Sequence, residues 1–287
     1  MKILVTGATG HLGNAVIGQL LKHIEPNQIS VITRKEESRK ELEGKGFNAF
    51  VSDYDSPDKL KKAMKGVDTV LLISAGDQGD RMQQHKNVID SSNKAGVENI
   101  AYTSRALRDR NTLTNDLMRE HFLTEDLIIE CGLNYTIFRN ALYMDVLPLF
   151  LGEGRVFETG IMMPAGNGEV AYCLREEQGE AMANVMATER FQNKTYTFTG
   201  SDSFSFHDVA KALTELSGKD VKYTPISEEN FTEMKSKFIE APMLKKIINF
   251  NTDIANGQES EVTSDLEKKL GRKPTGLKDG IKQLFDL

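Results

Sequence analysis

The chain has 287 residues, 39% hydrophobic and 27% charged, with 36 Lys+Arg against 42 Asp+Glu and a formal net charge of −6. This is the composition of a globular protein with enough chain to bury a sizeable core, and its mild acidity argues against bulk nucleic-acid binding, which rests on a basic excess. No run approaches the roughly 18 apolar residues of a membrane span. The first apolar stretch, Ile3–Val5, stops at Thr6-Gly7, short of the about 7–15 residues of a secretory signal core, so the expected compartment is the cytoplasm.

In chain order, compact runs of Ile, Val, Leu and Tyr predict strands at Lys2–Thr6, Ile29–Thr33, Asn48–Ser52, Thr69–Ser74, Asn99–Thr103 and Tyr135–Phe138. Helical spacing separates them. Leu12, Val16, Ile17, Leu20 and Leu21 share one face, Leu60, Ala63 and Met64 another, and Asp80–Ala95 and Thr114–Cys131 complete the series. Strands alternating with helices predict an α/β fold, a Rossmann-like doubly wound parallel sheet. The unbroken apolarity of Val70–Ile73 suits a central strand buried on both faces. Beyond about residue 140 Gly and Pro become denser. A helix is expected at Glu176–Thr188, a strand at Lys194–Thr199, a helix at Phe206–Ser217, a strand at Val221–Pro225, and then a polar helical tail. The expected organisation is a Rossmann lobe over residues 1–145 and a smaller C-terminal α/β lobe over 146–287, with the chain passing back between them. The two cysteines, Cys131 and Cys173, and five scattered histidines lack ligand spacing, so reduced thiols and no metal site are expected.

The sharpest local signal is Gly7-Ala8-Thr9-Gly10-His11-Leu12-Gly13, which follows the first strand and opens the first helix. Gly7 permits the tight turn, Gly10 leaves room for a diphosphate to approach backbone, and Gly13 lets the helix pack closely. The helix N-terminus favours an anion there. Gly7, Thr9, Gly10, His11, Leu12 and Gly13 are therefore candidate dinucleotide ligands. The second strand ends in Arg34-Lys35 rather than in the acid that accepts a ribose 2′-hydroxyl. Arg34 suits a 2′-phosphate, which favours NADP(H) and leaves NAD(H) as the alternative. Ligands lie beyond the carboxyl ends of such strands. Asp53 is thus expected near adenine, and Ser74, Ala75, Thr103 and Ser104 nearer the nicotinamide.

Taken together, Gly7–Gly13, Ser52-Asp53-Tyr54, Ala101-Tyr102-Thr103-Ser104, His121-x-x-x-Glu125, Phe138-Arg139-Asn140-Ala141-Leu142-Tyr143 and the tail Leu266–Arg272 resemble the NmrA-like group of atypical short-chain dehydrogenase/reductases over nearly the whole chain. The resemblance implies an NADP(H)-binding lobe, a small acceptor-binding lobe with the site between them, and hydride reduction of quinones or bulky conjugated cations. It also implies that Asn140 and Tyr143 lie beside the nicotinamide and the acceptor. Some relatives only sense the NADPH/NADP ratio.

Most short-chain dehydrogenases use Tyr-x-x-x-Lys to poise a proton. None of the seven tyrosines here, at 54, 102, 135, 143, 172, 196 and 223, has Lys four residues on. Alcohol oxidation and nucleotide-sugar epimerisation, which need that base, are demoted. The corresponding helix carries His121 and Glu125 on one face, and His121 is read either as a proton relay or as a packed residue. Quinone reduction asks less, because the cofactor supplies the chemistry and the protein the orientation. The expected activity is an NADPH-dependent reductase acting on a small conjugated acceptor, with a non-catalytic dinucleotide sensor as the alternative.

Overall fold

Six of the expected strands form in the computed structural model as β1 (Ile3–Val5), β2 (Ile29–Thr33), β3 (Asn48–Val51), β4 (Thr69–Leu72), β5 (Asn99–Arg105) and β6 (Asn134–Asn140). The structure describes residues 1–76 and 79–287. With a seventh strand, Lys194–Phe198, they make one sheet of order β3-β2-β1-β4-β5-β6-seventh. The pairings from β3 to β6 are all parallel, with Val5 opposite Val31 on one side and Leu71 on the other. The strand order reverses between β1 and β4, which is where doubly wound sheets bind ligands.

The connecting helices are α1 (His11–Leu20), α2 (Glu36–Gly44), α3 (Pro57–Ala63), α4 (Arg81–Ala95) and α5 (Asp116–Glu130). On one face of the sheet, Leu4, Val70, Leu72, Ile100 and Tyr102 pack with Leu60, Val88 and Ile128 from α3, α4 and α5. Elsewhere in this unit, α1 lies against the helix Arg175–Thr188, where a Cβ on Gly179 would come 2.7 Å from Ala15 Cβ. The two backbones meet because Gly179 has no side chain. By contrast α2 buries only Leu42. Arg39, which binds both Glu36 and Glu43, and the Lys45–Glu41 pair brace its surface, each exposed pair adding little.

The chain forms two compact units interleaved in sequence. One comprises residues 1–105, 120–140 and 175–197, and the other 106–119, 141–174 and 198–287. The second unit has its own core, including Met144, Leu147, Val156, Tyr172, Phe206, Val209, Leu213, Ile254 and Ile281. Its helix Phe206–Ser217 opens with a capping box between Ser205 and Asp208, and the hydrogen bonds from Ser205 hold the Asp208 carboxyl below its usual range. Among the described residues no helix is long and apolar enough to cross a membrane.

The second unit also anchors the start of α5. Asp253 is 1% exposed, and its carboxylate accepts from Thr114 N (2.7 Å), Thr114 Oγ1 (2.8 Å) and Asn115 N (3.1 Å). An acid facing the donors at a helix start is favoured by their shared direction. Asp253→Ala strands those donors, and the expected loss is about 2–3 kcal/mol of stability, read as a lower urea midpoint at unchanged slope.

Candidate cofactor site

The glycine turn is an open lip at the end of β1. Gly7 has φ +60°, a left-handed conformation that glycine adopts without penalty, and Gly7, Thr9, Gly10 and His11 are exposed. Gly10 N donates to Gly7 O at 2.9 Å, closing the turn. Leu12 and Gly13 are buried beneath it. A Cβ on Gly13 would come 2.3 Å from Gly7 O and 2.9 Å from Ala8 Cα, so the first turn of α1 rests directly on the loop. The helix starts at Gly10 with no side-chain cap and no acid in its first turn. Its leading N–H groups are not spent on a capping side chain, and a helix start of this kind suits a diphosphate.

At the end of β2, Arg34 and Lys35 are exposed, and among the described residues neither has an acidic partner. Arg39, one helical turn on, is neutralised by Glu36 and Glu43. Arg34 and Lys35 thus stand at this strand end without an acidic partner among the described residues. Asp53, beyond β3, is exposed, and its Oδ1 accepts from Asp55 N at 3.1 Å.

The next positions are tied inward. Ser74 and Ala75, beyond β4, are half-buried, while Thr103 and Ser104 in β5 are buried. Thr103 Oγ1 accepts from Ser74 N at 2.8 Å, and the Ser104 hydroxyl donates to Glu125. Glu125 also takes two hydrogen bonds from Arg139, at 3.0 and 2.6 Å, and the Arg139 guanidinium lies 5.2 Å from the centre of the Phe122 ring. The ends of β1 to β5 therefore bring Gly7–Gly13, Arg34, Asp53, Ser74, Ala75, Thr103 and Ser104 to one edge of the sheet.

His121 lies elsewhere, inside α5's packed face at 6% exposure. Its Nε2 faces the Arg81 guanidinium at 3.0 Å and its Nδ1 the Tyr102 hydroxyl at 3.1 Å. Because Arg81 only donates, Nε2 must be the acceptor and Nδ1 carries the proton. Burial first, then the Arg81 charge, hold its pKa well below the usual histidine value. Both nitrogens of this neutral ring are engaged. Asn140 ends β6 at 1% exposure. Its amide nitrogen lies 3.7 Å from Met182 Sδ, and among the described residues nothing pairs with its Oδ1. Tyr143 belongs to the second unit, where it is half-buried and its backbone bridges Cys173.

Three residues of this unit were not singled out by the motif reading: Tyr54 as a hydrogen-bonding group, Arg81 and His85. The Tyr54 hydroxyl bonds Thr6 Oγ1 and donates to Ile73 O at 2.7 Å. Arg81 and His85 are buried on the same face of α4 as Val88 and Ile89. Their signal was present as polar residues continuing an apolar helical stripe.

A model of the NmrA-like family matches residues 1–284, and the chain belongs to that family. It is similar to quinone oxidoreductase 2 of Escherichia coli (strain K12), 31% identical with 99% of each chain covered. Among solved structures it resembles the triphenylmethane reductase of a Citrobacter species, with TM-score 0.91, 34% identity and full coverage of both chains. A second is the E. coli NADPH-dependent quinone oxidoreductase complexed with NADPH, with TM-score 0.91, 31% identity and 99% of each chain covered.

Proposed function

We propose that this NAD(P)H-dependent reductase uses NADPH to reduce a quinone or a similar conjugated acceptor. The observation that carries the reading is the glycine lip over an uncapped α1, whose first turn a single Cβ at Gly13 would displace. The full-length likeness to quinone and dye reductases supports the acceptor class. The glycine turn and the α1 N-terminus hold the diphosphate, Arg34 and Lys35 hold the 2′-phosphate, and Asp53, Ser74, Ala75, Thr103 and Ser104 line the strand ends. Bound there, the reduced nicotinamide supplies a hydride, and no protein base is needed to start the reaction. Asn140 and Tyr143 are assigned to the charge that develops on the acceptor oxygen, with the proton drawn from water. His121, neutral and engaged at both nitrogens, is assigned to holding Arg81 rather than to proton transfer.

The test is steady-state oxidation of NADPH with a panel of benzoquinones and cationic dyes. Turnover at the uncatalysed rate, in protein that binds NADPH, would leave the non-catalytic sensor as the reading. For Arg34→Ser, KM for NADPH is expected to rise about 10- to 30-fold, the worth of a charge-assisted hydrogen bond, while KM for NADH stays within about twofold. Equal effects on both nucleotides would remove Arg34 from the 2′-phosphate.

A further inference from the structure

The chain leaves β4 at Leu72 and loses its strand ladder, yet the next three residues are held almost completely. Ile73 N donates to Thr6 Oγ1 at 2.8 Å, and Ile73 O accepts from the Tyr54 hydroxyl. Ser74 N donates to Thr103 Oγ1. Ala75 is gripped at both ends of its backbone: its N–H donates to His85 Nε2 at 2.8 Å, and its carbonyl accepts from Arg81 Nε at 2.9 Å. These side chains come from Thr6 just beyond β1, from β5, from α4 and from the loop after β3.

The clamp is itself locked. Since Ala75 N can only donate, His85 Nε2 must accept, so the proton sits on Nδ1. That nitrogen lies 2.8 Å from Thr124 Oγ1, whose own hydroxyl donates to Glu120 O at 2.9 Å. Thr124 thereby fixes the tautomer that Ala75 requires. Arg81 is fixed by the 3.2 Å contact to Glu120 and by His121. Arg81 at 3% and His85 at 0% exposure lie well inside the unit, and each holds one end of the Ala75 peptide from there.

We infer that His85 and Arg81 are positioning residues for the dinucleotide: they hold Ser74-Ala75 in one binding-ready geometry at the end of β4, and Thr124 sets the His85 tautomer that this requires. The inference rests on the cofactor reading above. It goes further by assigning affinity to buried α4 and α5 side chains that do not themselves face the cofactor.

The test compares His85→Leu, His85→Gln and Thr124→Val with wild type, measuring NADPH affinity by fluorescence titration, KM and kcat with benzoquinone, and thermal midpoints. Leucine removes the acceptor, whereas the Gln carbonyl oxygen restores one. His85→Leu is expected to weaken NADPH binding about tenfold or more, the effect of losing one buried hydrogen bond, with kcat at saturating NADPH within about threefold. His85→Gln is expected to recover most of the affinity, and Thr124→Val to lose about threefold. A purely structural role predicts lower thermal midpoints without this split between KM and kcat and without rescue. Wild-type affinity in a folded His85→Leu protein overturns the inference, as does equal loss in the Leu and Gln variants. If His85→Leu does not fold, wild-type affinity in Thr124→Val overturns it instead. A wild-type protein that binds no NADPH overturns the parent reading, and this shows in the wild-type measurement alone.

Discussion

Gly13→Ala is expected to weaken NADPH binding by about a hundredfold and to cost about 1–3 kcal/mol of stability. The added methyl carbon would stand 2.3 Å from Gly7 O and 2.9 Å from Ala8 Cα. Both are backbone atoms, so no side chain can swing aside. Either α1 withdraws from β1 or the turn lifts from α1, and both motions turn the leading N–H groups away from the diphosphate seat. Two other glycines of α1's neighbourhood separate binding from folding. At Gly10 the Cβ meets only Gly7 O, at 3.3 Å, on the exposed side of the lip. Gly10→Ala needs that carbonyl to give by only a few tenths of an ångström, so it should lower the urea midpoint far less than Gly13→Ala and still weaken NADPH binding. At Gly18 nothing lies within 4 Å, and Gly18→Ala should leave binding untouched while adding up to about 1 kcal/mol of helix stability. Calorimetric titration with NADPH and urea melts on the three variants distinguish these outcomes. Wild-type affinity in Gly13→Ala would show that the diphosphate does not sit on this turn.

The glycine turn could be read from sequence because its requirement is local: a strand, a positive φ, a helix start and a close approach all fall within Gly7–Gly13. The same holds for β4, whose apolar run needs no partner to be recognised. Reading failed where polar residues depend on distant ones. β5 and β6 were expected to end at Thr103 and Phe138, but they pair on through Ser104↔Arg139 and Arg105↔Asn140. Ser104 and Arg139 remain in the strands because Glu125, on α5, satisfies both. Nothing within either run announces that partner. Arg81 and His85 are a similar case. They continue α4's apolar stripe, where a charged residue argues for a solvated face until Ala75, Glu120, His121 and Thr124 are seen around them. His121 and Glu125 were correctly placed on one helix face, but that spacing does not reveal that the face is buried. The division into interleaved units was equally hard to locate from composition. The Gly-rich stretch after residue 140 marks one passage between them, whereas the passage near residue 105 lies at a strand end without a linker signature.

The buried histidines are expected to make the fold sensitive to mild acid. His85 is pushed down to about 3, first by burial and then by the Arg81 charge. His121 is held well below its usual value by burial and by the charges of Arg81 and Arg105. An unfolded histidine titrates near 6.5. Below that pH the unfolded chain takes up protons that the folded chain refuses, so the stability these residues contribute is present above about pH 6.5 and lost as pH falls toward the folded values. A histidine held that low contributes a slope approaching about 1.4 kcal/mol per pH unit, so His85 alone is expected to remove about 2 kcal/mol between pH 7 and 5, and His121 adds to the loss in the same direction. The carboxyls held low, such as Asp208, add their own loss only below their unfolded range near 4, so the interval above pH 5 isolates the histidines. Protonation is doubly opposed here, because Nε2 of His85 already accepts from Ala75 N and Nε2 of His121 from Arg81. A proton on either nitrogen would replace a hydrogen bond with two donors facing each other. Urea unfolding at pH 7, 6 and 5 should show the midpoint falling at constant slope, and His121→Gln should reduce the pH dependence. A stability unchanged from pH 7 to 5 would mean that the two rings are not held neutral, and the tautomers assigned to both would have to be withdrawn.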